Sequence, residues 1–119
     1  MNTIESRTES LVRRIFEARE EYIRLKYDEE SDQELLPPAT REQLQAAEVL
    51  LARPLPESYR AFLSLHNGWL AFSGDAQILP TSELGADWVR DKLKGIVLHF
   101  REFFPTIDLG GAFLVMAGE

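Results

Sequence analysis

The chain has 119 residues, 45% hydrophobic and 28% charged, enough for one folded domain with one modest core and not for two. Its 13 basic and 20 acidic residues leave a formal net charge of -7, so bare DNA or RNA is a poor partner: no basic patch is available to release counterions from phosphates. The absence of cysteine excludes disulfides and thiolate metal sites, and no apolar run approaches the roughly 20 residues that span a bilayer.

The first segment, MNTIESRTES, has no basic start followed by an apolar core and does not read as a secretory signal, so a cytoplasmic protein is expected. From about Ile4 to Tyr27 the pattern is helical. Leu11, Val12, Ile15, Ala18, Tyr22, Ile23 and Lys26 step by three and four, with Arg13, Arg14, Glu17, Glu20, Glu21 and Arg24 on the other faces. Such a stripe packs on the domain; the functional alternative is a helix offered to a partner. Residues 28–34 (DEESDQE) then hold Asp28, Glu29, Glu30, Asp32 and Glu34 without a basic residue. This stretch cannot bury itself and predicts an exposed loop, either a solvated linker or a negative patch that meets a basic protein.

Residues 36–69 carry the strongest local signals. Pro37 and Pro38 hold the entry extended, and Thr40 with Gln43 forms a capping box, so a helix begins at Arg41. Leu44, Ala47, Val49, Leu50 and Leu51 give it an apolar stripe, ended by Arg53 and the turn Pro54-Leu55-Pro56. A second helix follows, with Pro56 in its first turn and Glu57 near the positive end of its dipole. Tyr59, Phe62 and Leu63 form its core side, and Asn67-Gly68 its left-handed stop.

On Leu36, Pro37, Pro38, Ala39, Thr40, then Leu55, Pro56, Tyr59, Phe62, Leu63, and finally Asn67 and Gly68, the chain resembles the SUKH superfamily, the Smi/Knr-type domains. The likeness rests on the order and spacing of these pieces and covers about a third of the chain. Ala52 stands where that family usually has glycine, and Trp69 where a second glycine is frequent. The resemblance implies an α+β fold, SUKH-like and mainly helical with a small β-sheet, complete or curtailed. It also implies a bacterial immunity protein: a stoichiometric, non-enzymatic inhibitor of a polymorphic toxin, often a nuclease or deaminase whose basic channel suits an acidic binder. The alternative within the superfamily is a regulatory or scaffolding adaptor with several weaker partners.

Beyond Trp69, residues 71–75 read as a turn broken at Gly74-Asp75, and Gln77, Ile78 and Leu79 as a short strand ended by Pro80. Thr81 or Ser82 caps a brief helical turn through Leu84, and Ile78, Leu79, Pro80, Ser82, Glu83 and Leu84 look like the corresponding stretch of SUKH domains. Residues 86–104 form a long periodic segment with Trp88, Val89, Leu93, Ile96, Val97, Phe100, Phe103 and Phe104 as its apolar set, interrupted by Gly95 and ended by Pro105. Ala112 to Ala117 then reads as one buried strand. SUKH domains normally continue with further strands and a closing helix, and two strands alone are marginal. The expectation is an exposed edge, a mainly helical body, or a homodimer.

No catalytic constellation emerges. His66 and His99 lack a nucleophile or a carboxylate at ligand spacing, the paired acids lie on charged faces, and Gly110-Gly111 precedes a strand instead of opening a helix. The expected organisation is one domain over 1–119: an amphipathic helix at 1–27, the motif-bearing helix pair at 36–69, and strand, helix, strand over 70–119. The expected activity is protein binding without enzyme, cofactor or metal. Asp28, Glu29, Glu30, Asp32, Glu34 and Asp75, with exposed Trp69 and Phe72, are the candidate contacts.

Overall fold

The computed structural model describes residues 3–73, 76–106 and 113–118. Four α-helices and four short strands are found among them: α1 (Ile4–Tyr27), β1 (Glu34–Leu35), α2 (Arg41–Leu51), α3 (Glu57–Leu65), β2 (Trp69–Ser73), β3 (Ala76–Ile78), α4 (Asp87–Phe103) and β4 (Met116–Ala117). The fold is α+β, mainly helical with a small antiparallel sheet in the order β1-β2-β3-β4.

Local chemistry accounts for the helix starts. Thr3 caps α1 by accepting from the Ser6 amide at 3.0 Å. Thr40 and Gln43 make both bonds of the capping box at α2, at 3.1 and 2.8 Å. α3 starts one position later than expected, with Pro56 as its N-cap residue. Its stop also differs: His66 is extended at φ -146, and the positive φ falls two residues on, at Gly68 (116). Left-handed caps occur instead at Asp28 and Ala52.

The residues of the L-P-P and N-G pieces tie the domain together. The Leu36 amide donates to Gly68 O (3.1 Å), the Asn67 amide to Pro37 O (2.7 Å) and the Ala39 amide to Leu63 O (2.9 Å). The Asn67 side chain both accepts from the Thr81 amide and donates to its hydroxyl, at 2.8 and 3.2 Å. A Cβ at Gly68 would lie 3.1 Å from Leu36 Cδ1 and 3.3 Å from Ile78 O, so its φ and its surroundings both require glycine. These bonds fasten the entry and the exit of the helix pair to each other.

The core gathers Val12, Leu44, Leu55, Tyr59, Phe62, Leu63, Trp69, Leu79 and Val89, with α1 laid against α3. Tyr59, Phe62 and Leu63 are buried as expected. The α1 stripe is rotated from the expected one: Val12, Ile15, Phe16 and Ile23 turn inward, whereas Leu11, Ala18, Tyr22 and Lys26 are exposed. Val49 and Leu50 of α2 are exposed too, whereas Leu44 and Ala47 are buried and Leu51 packs against the core.

The sheet departs most from expectation. Residues 69–73 form a strand where a turn was read at 71–75, and Glu34 and Leu35 join as an edge strand opposite Leu70 and Trp69. Two strands expected become four, which explains how so small a sheet is held. The register shifts between Trp69 and Ser73, with Ala71 at φ 51. This irregularity turns Trp69 and Phe72, three apart, to the same side, where a regular strand would oppose them. β4 is shorter than the strand expected over 112–117, and Val115 and Met116 are exposed. Ala112, Gly74, Asp75, Gly110 and Gly111 lie outside the described residues.

Candidate binding groove beside the first helix

α1 ends because Asp28 adopts the left-handed conformation (φ 54, ψ 40), its amide donating to Arg24 O at 3.0 Å. The chain then doubles back along the helix it has just left. Two bonds hold it there. Ser31 donates its hydroxyl to the Glu20 carboxylate, and Gln33 donates its amide NH2 to Phe16 O (2.9 Å) and Glu20 Oε1 (3.1 Å). The other end of the Gln33 amide accepts from Trp69 Nε1 at 3.1 Å, so the acidic stretch is anchored to the centre of the core.

The consequence is an open groove of about 640 Å³, with Phe16, Glu17, Glu20, Glu21 and Arg24 on the helix side and Asp28, Glu29 and Glu30 on the returning chain. Six carboxylates surround it with one guanidinium, on an apolar floor at Phe16. Hydrogen bonds from Ser31 and then Gln33 hold the Glu20 carboxyl below its usual value, keeping it ionised. Asp32 lines an adjoining cavity of about 250 Å³ with Arg19, Ile23 and Tyr27. Glu34 is exposed on β1.

The aromatic candidates fare differently. Trp69 was expected on the surface and is 1% exposed. It is stacked with Phe16 and with Phe62 at 6.2 Å each, and it meets Phe72 edge-on at 4.8 Å. Its bulk fills the space between α1, α3 and the sheet, and the only indole polar atom is taken by Gln33. Phe72 is half-buried, with the Arg19 guanidinium 5.5 Å above its ring. Asp75 lies outside the described residues. The structure thus brings Asp28, Glu29 and Glu30 together with Glu17, Glu20 and Glu21, which were read in the sequence only as the solvated face of a helix. Gln33, buried amid acids, was not singled out; only its place as the one amide in an acidic run could have marked it.

Among the described residues no group of three potential ligands could hold a metal ion, and no helix is long and apolar enough to cross a membrane. His66 Nδ1 is 3.0 Å from Leu36 O, and His99 lies exposed 4.0 Å from the Glu102 carboxylate.

A small antiparallel sheet lies beside two short helices joined through a proline turn, with an L-P-P entry bonded to an N-G exit. A family model described as the SMI1 / KNR4 family (SUKH-1) matches residues 38–114. The chain belongs to this family. No curated protein matches it.

Proposed function

We propose that this chain is a non-enzymatic protein-binding module acting as one domain in the cytoplasm, an immunity protein that neutralises a cognate bacterial toxin by direct binding. Its acidic groove receives a basic surface of that partner. The observation that carries the reading is the convergence of six carboxylates on both walls of one groove, from two segments that the Glu20–Ser31–Gln33 bonds hold together. A rigid array of like charge raises the local field, steers an oppositely charged protein and speeds its encounter. Asp32, Glu34 and Phe72 extend the same contact surface around the loop. Family membership supports a protein partner, and the net charge of -7 favours a basic one.

The test begins with the chain as bait in a lysate of its source cells at low ionic strength, with elution by salt. A single eluted protein that is toxic when expressed alone, and harmless when this chain is co-expressed, is the expected outcome. Reversing Glu17, Glu21, Glu29 and Glu30 to Lys should then slow association by about tenfold or more and flatten its salt dependence. Several weak partners, none of them toxic, would favour the adaptor reading instead. A toxin bound equally well by the reversed variant would remove the groove from the interface.

A further inference from the structure

We draw no further inference here: the strongest candidate, the apolar groove of about 390 Å³ between α1, α3 and the sheet, lined by buried Val12, Phe62 and Trp69 and by exposed Leu11, Val115 and Met116, carries none, because nothing in the structure shows what covers it.

Discussion

Ala52 closes α2 in the left-handed conformation, φ 57 and ψ 32, with its amide directed at the carbonyls of Glu48 and Val49. A Cβ in that region costs about 1–2 kcal/mol, so glycine suits this position better than alanine. Ala52→Gly should therefore raise the unfolding free energy by about 1 kcal/mol after the extra flexibility of the unfolded glycine is set against it; a urea midpoint that does not move would contradict the cap geometry. Tyr59 offers the opposite case. Its hydroxyl donates to Leu79 O at 2.6 Å inside the core, and burial pushes its pKa upward from 10.0. Tyr59→Phe leaves that carbonyl unpaired and should cost about 1–3 kcal/mol at neutral pH. Because the folded phenol resists ionisation, its contribution is fully present below the unfolded value of 10.0 and is lost as pH climbs above it. The phenylalanine variant should lack that part of the alkaline destabilisation, as melting curves between pH 8 and pH 11 would reveal.

Among the elements, the segment between α1 and β1 has the least intrinsic structure and the most consequence. It contains too few apolar atoms to fold by burial, and it is fixed by three side chains: Glu20 below it, Ser31 within it and Gln33 plugged between α1 and Trp69. Gln33→Ala should cost about 1–3 kcal/mol, since the buried indole N–H of Trp69 loses its acceptor and the loop its ties to Phe16 and Glu20. It should also speed amide exchange across residues 28–33 while α2 keeps its protection. Acid acts on the same latch. The Glu20 pKa lies below its unfolded value, so the contribution is complete above that value and fades as pH falls through the folded one. The loop should loosen in moderately acidic buffer before the helices melt. An exchange profile that stays uniform from neutral pH to the acid transition would show that Glu20 does not hold it.

For the molecule as a whole, the acidic groove sets function against stability. Six carboxylates around one cleft repel one another, and the field that would draw in a basic partner strains the free protein. Reversing Glu17, Glu21, Glu29 and Glu30 should leave the fold intact and raise the melting temperature slightly in low salt. That gain should vanish at about 1 M salt, where the screening length is only about 3 Å. Lower stability of this variant at every salt concentration would mean that the carboxylates serve the fold instead.

Sequence alone determined what is local. Capping chemistry within four residues placed the start of α2, the 3.6-residue period marked α1, proline and the same period bounded α3 and α4, and that period identified Tyr59, Phe62 and Leu63 as core. Tertiary structure decided whatever depends on a distant partner. Trp69 is interior because Phe16, Phe62 and Gln33, lying between 7 and 53 positions away along the chain, converge on it, and no window of sequence contains them all. β1 and β2 exist because residues 34 and 35 meet residues 70 and 69, a pairing that neither stretch advertises by alternation. The apolar stripe of α4 was legible, but periodicity reports only that a face is fit for burial. Whether anything covers that face is a property of the whole molecule, and among the described residues Val89 is buried whereas Ile96 and Phe103 stay exposed.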